Sequence, residues 1–274
     1  MVTATSDLAE RLTRADSSYW HSWGEAVRDL HENPHGVEVF RFGRVSALHV
    51  HSAPVPVFNR VLGVGEYDTT LIDDILALYG ERFTPCRFDI DPFSSGPQLL
   101  SALNDRGLHP SEFQTTLYRA DLDDIEEVSA PSVEIRPVSP SEIDFYAQLY
   151  ESAYHGDRAP ALLSRFRIDS MKARFGKPEW TFYMMLVDGV PAGGAALHIA
   201  DDVATLAGGA TMYTLRGRGC QSVAINRRLI DAADAGCKIA VTRCGVGTPS
   251  QRNMERSGFA TAYTKSVWQQ QLLL

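Results

Sequence analysis

Little in this chain points to a secreted, metal-bound or nucleic-acid-binding protein. Cysteine is scarce: Cys86, Cys220, Cys237 and Cys244 form no C-x-x-C pair, and no histidine cluster has zinc-like spacing. A disulfide-dense scaffold is excluded, no metal is expected, and the thiols read as structural ones in a reducing compartment. Positive charge is also short, with 26 Lys and Arg against 34 Asp and Glu. The basic footprint of a nucleic-acid partner is therefore missing. No apolar run approaches the roughly 20 residues of a membrane span. The polar start, Met1 to Arg14, lacks the apolar core of a signal peptide. The expectation is a cytoplasmic protein with no membrane partner, a monomer or a homodimer.

What is present suits two folded domains. A chain of 274 residues that is 44% hydrophobic can bury two ordinary cores. Leu8, Leu12, Tyr19, Trp23, Val27 and Leu30 predict a helix over 5–31, with a break near Ser17-Ser18. Strands follow at 37–42 and 45–51, then an apolar run at 58–65, a helix at 70–79, a strand at 86–90, a helix at 96–106 and a strand at 114–119. The stretch from Asp121 to Pro131 is acidic, then small, and reads as a linker. Beyond it the pattern predicts a strand at 133–138, helices from Ser139 and over 159–174, and strands at 180–187, 191–199 and 203–212. A helix at 220–235, a strand at 239–244, a helix at 249–256 and a strand at 259–268 complete it. In the 220–235 helix, Val223, Ala224, Ile225, Leu229 and Ile230 face a core, while Asn226, Arg227, Arg228 and Asp231 face away. The first half has a similar, frayed order, and Leu103-Asn-Asp-Arg-Gly-Leu108 echoes Met254-Glu-Arg-Ser-Gly-Phe259, so two related modules in tandem are expected.

The stretch that carries chemistry runs from Gly208 to Ser222. A strand enters the turn Arg216-Gly217-Arg218-Gly219, and the turn opens the chain's best helix at Cys220. Free N–H groups at a helix start, with the macrodipole behind them, attract anions. Gly217 and Gly219 let phosphate oxygens approach the backbone, Arg216 and Arg218 add positive charge, and Ser222 offers a hydroxyl. The Gly-Lys-Ser/Thr of a Walker A loop is missing. No parallel βαβ unit with a ribose-binding acid accompanies the loop, so a dinucleotide fingerprint is excluded as well.

Arg216-Gly-Arg-Gly-Cys-Gln221, after a strand and before an amphipathic helix, resembles motif A of the GNAT acetyltransferase superfamily, Arg/Gln-x-x-Gly-x-Gly/Ala. Arg216 and Gly219 match; Gln221 departs from the final small residue. Pro249-Ser-Gln-Arg-Asn-Met-Glu-Arg-Ser-Gly-Phe259 resembles motif B. The resemblance covers about residues 133–268. It implies an α/β fold of two GNAT-like domains in tandem, each a mostly antiparallel central sheet flanked by helices. Residues 1–125 would be a degenerate domain without the cofactor loop, and 126–274 the acetyl-CoA-binding domain. It also implies that the strand ending at Ala210-Thr211-Met212 splays from that at 239–244. Pantetheine would lie in the gap against the backbone of Ala210 and Met212, and pyrophosphate would take N–H groups from Arg216 through Gly217, Arg218, Gly219, Cys220, Gln221 and Ser222. Asn253 would sit near the arm or thiol.

The implied activity is N-acetyl transfer from acetyl-CoA, as co-substrate, to the primary amine of a small-molecule acceptor by direct attack. Alternatives are a silent acyl-CoA-binding or regulatory protein and a protein or peptide N-acetyltransferase. Such a reaction needs a neutral amine, a donor for the oxyanion and a proton for the departing thiol. The Met212 N–H is the expected oxyanion donor. Where many family members carry a proton-donating tyrosine, this chain has Met254. Asn253 with a water, Tyr263 or Ser250 are the substitutes, or the thiolate leaves unaided. Glu142, His155, Asp157 and His198 are candidate bases, with Glu142 read first as a helix-start acid and His198 as a structural histidine. Cys220 at a helix start is expected to have a lowered thiol pKa. Tyr19, Trp20, Trp23, His49 and His51 read as packing. In the first half, Gly63-Val-Gly-Glu66 places an acid where phosphate would sit, so that half is expected to wall the acceptor cleft rather than bind CoA.

Overall fold

The computed structural model describes residues 5–123, 125–156 and 160–270. The elements in chain order are α1 (Ser6–Arg28), β1 (Val37–Phe42), β2 (Val45–Val50), β3 (Arg60–Leu62), α2 (Leu71–Glu81), β4 (Arg87–Ile90), α3 (Pro97–Asp105) and β5 (Leu108–Arg119). They continue with β6 (Val133–Pro137), α4 (Ile143–His155), α5 (Ala161–Arg174), β7 (Trp180–Val187), β8 (Val190–Ala200) and β9 (Val203–Thr211). The last are α6 (Cys220–Asp234), β10 (Ile239–Gly245), α7 (Pro249–Arg256) and β11 (Ala260–Gln270). Contacts divide the chain into two compact units that are discontinuous in sequence. One comprises the stretch up to Thr116, Arg243–Val246 and the stretch from Thr261 onward. The other comprises Leu117–Thr242 and Gly247–Ala260.

In the first unit the strands lie in the order β1-β2-β3-β4-β11-β5. β1, β2 and β3 form an antiparallel meander, β3 and β4 run parallel, and β4 and β11 antiparallel. Their core joins Val45, Val61 and Phe88 to Ile72 and Ile75 of α2 and Leu99 and Leu103 of α3. α1 begins where the Thr5 hydroxyl accepts from the Leu8 N–H at 3.3 Å. It runs unbroken through Ser17-Ser18, where a break was expected. The reason is tertiary: Asp16, one residue earlier, is buried and pairs with both Lys265 and Arg243.

In the second unit β6, β7, β8 and β9 form antiparallel neighbours, and β10 joins β9 in parallel. Phe182 of β7 packs edge-on against Tyr146 of α4, with ring centroids 5.9 Å apart. Met185 and Val187 cluster instead with Cys220 and Ala224 of α6. Strand alternation puts Phe182 and Met185 on opposite faces, so α4 and α6 cover opposite faces of this sheet. The linker is lashed down: Asn226 of α6 accepts from the Val128 N–H at 2.8 Å and donates to the Glu126 carbonyl at 2.7 Å. Asn226 and Arg228, expected to face away, are both buried. Periodicity shows where an apolar stripe lies but not which polar side chains find partners inside it.

Asp16→Ala leaves two cations facing each other without their shared carboxylate. Removing one member of a buried ion pair costs about 3–5 kcal/mol, and chemical denaturation of the variant is expected to show a loss of that size.

Candidate functional site

The site is built around an irregularity in β9. Its register with β8 runs from Val203↔Ala200 to Ala207↔Ala196, then resumes at Ala210↔Gly194 and Thr211↔Gly193. Three residue steps on β9 match two on β8, so β9 bulges at Gly208-Gly209. Gly208 has φ +60°, and a Cβ there would run into the Tyr150 hydroxyl; only glycine meets both conditions cheaply. Two tyrosines of α4 lie across the bulge. The Tyr146 hydroxyl donates to the Ala195 carbonyl at 2.9 Å, and the Tyr150 hydroxyl accepts from the Gly209 N–H at 3.4 Å. From α6, the fully buried Arg228 donates through Nη1 to the carbonyls of Gly208, Ala196 and Ala207 at 3.1, 3.2 and 3.4 Å.

β9 also parts from β10. The parallel register covers Ile239↔Val203 to Val241↔Thr205. The Thr242 hydroxyl then donates to the Leu206 carbonyl at 2.9 Å, while β9 runs on to Thr211. The pairing of the two strands thus stops short of the end of β9, and the backbone groups along the rest of β9 differ from expectation. The Met212 N–H donates to the Ala192 carbonyl at 2.7 Å and is not available to an oxyanion or a pantetheine amide. Ladder alternation gives the pair Ala210↔Gly194 the same orientation, toward β8. Thr211 presents its N–H group to the opposite edge, whereas the Gly209 N–H, inside the bulge, turns to Tyr150. The Thr211 carbonyl accepts from Arg216 Nε at 3.0 Å, in keeping with that orientation.

After Thr211 the chain makes a 3-10 turn at Tyr213–Leu215 and enters the glycine loop. Gly219 is the N-cap of α6, in the left-handed region at φ +92°, and no side chain caps the helix. The first N–H groups of a helix have no intrahelical partner. A Cβ on Gly217 would meet nothing within 4 Å, so the loop opens onto space. Arg218 is exposed and pairs with Asp188 at 3.0 Å, an arrangement that holds it weakly. The Arg216 guanidinium lies beside Tyr213, 5.4 Å from its ring centroid. The Gln221 amide reaches back to Thr211 Oγ1 at 3.3 Å, which gives the bulkier residue at that position a place. An uncapped helix start, an open glycine loop and two arginines fit an anionic, phosphate-bearing ligand.

Other expected residues have different duties. Tyr263 belongs to the first unit, where its hydroxyl lies 3.3 Å from Thr13 Oγ1 and its ring meets Phe93 edge-on. Asn253 lies in α7 and accepts from Arg256 through its side chain. Met254 is buried and Ser250 exposed. Glu142 caps its own turn with Ser139 and holds Arg136 at 2.7 Å; the Arg136 guanidinium drives its carboxyl well below the usual range. Burial pushes the Cys220 thiol up rather than down, because the side chain turns into the core instead of toward the helix dipole. His155 ends α4, 4.0 Å from Glu151, and burial lowers its pKa. Asp157 lies outside the described residues. No group of His, Cys, Asp and Glu able to hold a metal occurs among the described residues, and no helix there is long and apolar enough to cross a membrane.

The first unit repeats the order strand, loop, helix, parallel strand, helix, strand in β3, α2, β4, α3 and β5, but its loop is filled by its own carboxylates. Asp68 accepts from the Gly65 N–H at 2.9 Å, and Glu66 accepts from Gln98 and Leu99 at the start of α3.

No protein-family model matches the chain, and no curated protein matches it. Solved structures do. A GCN5-related N-acetyltransferase from Kribbella flavida superposes with a TM-score of 0.67 at 18% identity, over 94% of this chain and 95% of that one. A tandem GNAT protein from the clavulanic acid biosynthesis pathway gives 0.59 at 14% identity, over 93% and 95%. The chain has a tandem GNAT fold. A GCN5-related N-acetyltransferase from Sphaerobacter thermophilus is similar too, at 0.59 and 10% identity over 84% and 81%. Within the GNAT fold the glycine loop and the parting strands are recoverable from motif spacing. Tyr150 and Arg228 are not, because neither belongs to a motif and both act through contacts distant in sequence.

His198, a candidate base, is buried against Trp180, and burial lowers its pKa to about 4. The unfolded chain therefore binds more protons than the folded one between the ordinary histidine value of 6.5 and about 4. The stabilisation is complete above that window and falls by about 3 kcal/mol across it as the pH drops. Urea unfolding at pH 7 and 4.5 is expected to show a smaller loss for His198→Gln than for wild type.

Proposed function

We propose that this chain is an N-acetyltransferase that moves an acetyl group from acetyl-CoA to the primary amine of a small molecule by direct attack. The observation that carries the reading is the start of α6: an uncapped helix entered through Gly217 and Gly219, with Arg216 and Arg218 beside it, at the end of a strand that has parted from its neighbour. Backbone N–H groups from Gly217 to Ser222 would hold the pyrophosphate. The pantetheine amides would lie along the open edge of β9, where the Thr211 N–H takes the part first expected of Met212. Ala210 and Met212 would line that arm with their side chains, and Asn253 would stand near it from α7. Acetyl-CoA supplies an acyl group already activated as a thioester. The chain supplies fixed dipoles at the site of charge development, which need no reorganisation when charge appears. The first unit, with Asp68 and Glu66 on its own loop, would carry no second CoA.

A second reading, a silent acyl-CoA-binding protein, draws on the buried Met254 at the usual place of a proton-donating tyrosine. Titration calorimetry and thiol release distinguish the two. Wild-type protein is expected to bind acetyl-CoA, and Arg216→Glu with Arg218→Glu to weaken binding on the order of a hundredfold, through two charge-assisted contacts of about 1.5 kcal/mol each. Release of free CoA with at least one member of a panel of small amines supports the enzyme. Tight binding without turnover on any amine or N-terminal peptide supports the silent protein, and no binding sinks both.

A further inference from the structure

Arg228 has no role in the loop or in the apolar core, yet it is the largest fully buried side chain among the described residues. Burying a guanidinium without a carboxylate is costly. Among the described residues its hydrogen bonds go only to carbonyl oxygens, with the Ala224 carbonyl at 2.8 Å added to the three at the bulge, and Nη2 has no partner there. Burial lowers its pKa to about 10, against the pull of the hydroxyls of Tyr183, Tyr150 and Tyr146. It is a cation at neutral pH all the same.

One of those carbonyls belongs to Gly208. The same peptide unit carries the Gly209 N–H, and that N–H donates to the Tyr150 hydroxyl. A cation on the oxygen of an amide draws electron density from its nitrogen and makes the N–H a stronger donor. A stronger donor on a phenol oxygen, with a guanidinium one peptide away, favours the ionised phenol. Arg228 and Tyr150 are thus joined through the bulge in β9.

The position matters as much as the polarity. Thr211 presents its N–H to the open edge of β9, and two residues back, at the bulge, the Gly209 N–H turns to Tyr150 instead. From Met212 back to Gly208 is four residues of extended chain, about 13 Å. A pantetheine arm with its two amides spans about 15 Å when extended. An arm held at its pyrophosphate end by the glycine loop and laid along that edge ends beside the bulge.

We propose that Tyr150 is the proton donor to the departing sulfur and that Arg228 is a positioning residue that sets its acidity through the Gly208–Gly209 peptide. This rests on the acetyltransferase reading above and fills the part that Met254 cannot play. The amine nitrogen forms its bond to the acyl carbon as the carbon–sulfur bond breaks with its electron pair on sulfur. Tyr150 gives its proton to that sulfur and recovers one, through solvent, from the nitrogen. Nothing is oxidised or reduced.

The test does not depend on the acceptor. Ultraviolet titration of tyrosinate in the full chain, taken as wild type minus Tyr150→Phe, isolates this phenol. It is expected to ionise at least about one unit below the ordinary tyrosine value of about 10. In Arg228→Gln it should return toward that value. If Arg228→Gln does not fold, the wild-type difference titration still decides. A phenol that ionises at or above the ordinary value overturns the proposal.

Where the amine panel gives turnover, Tyr150→Phe is expected to slow CoA release about a hundredfold and to abolish the fall in rate at high pH. A fluorotyrosine at 150 should move that fall to lower pH by the difference in phenol acidity. Unchanged rates with an unchanged pH profile also overturn it. Calorimetry separates the two failures. Intact acetyl-CoA binding with an unshifted phenol removes Tyr150 alone, whereas no binding removes the acetyltransferase reading.

Discussion

Where β9 carries one residue more than β8 can pair, the Arg228 guanidinium gathers three carbonyl groups at the slip. A carbonyl left alone in this interior costs a large part of a hydrogen bond, and a bulge left unsupported would slide back into register. The buried cation removes both problems at once. Its own desolvation is offset by four carbonyl dipoles and by tyrosine oxygens nearby. α4 completes the arrangement from the other face, with Tyr146 on the Ala195 carbonyl and Tyr150 on the Gly209 N–H.

That slip decides which way the end of β9 points. With the extra residue absorbed at Gly208-Gly209, Met212 turns its N–H to Ala192 and Thr211 turns its own to the open edge. The loop beyond then delivers Gly217 and Gly219 to the start of α6, where no side chain competes for the helix N–H groups. The bulge, the parted strands and the glycine turn are consecutive parts of one stretch of chain. A change in the first is transmitted to the last through backbone register.

The first unit shows what the same element order does without those features. Its equivalent loop is closed by Asp68 on the Gly65 N–H, and Glu66 reaches past α2 to the start of α3. Carboxylates supplied by the chain thus take the Gly65 N–H of the loop and the first N–H groups of α3. Its buried charges, such as Asp16 with Lys265 and Arg243, serve cohesion. Similar topology therefore carries different chemistry according to whether a loop's donors are already spent.

Local pattern was enough for most elements. The spacing of apolar residues located α7 at Pro249–Arg256 and β7 at Trp180–Val187, and the glycines located the uncapped start of α6, because these properties reside in neighbouring residues. It misjudged whatever depends on distant partners. Asp16 keeps α1 unbroken through two serines, and β5 starts at Leu108, ahead of the expected 114, because β11 lies beside it. Asn226 and Arg228 read as solvated since a polar residue on a helix is usually so, yet here the linker carbonyl and the bulge carbonyls draw them inside. The amino-acid order by itself determined the element sequence and the glycine turn that opens α6. Only the tertiary structure decided that Thr211, not Met212, faces the opening and that Tyr150 and Arg228 meet across one peptide. Strand register and through-space contacts are set by packing between segments that no local window contains.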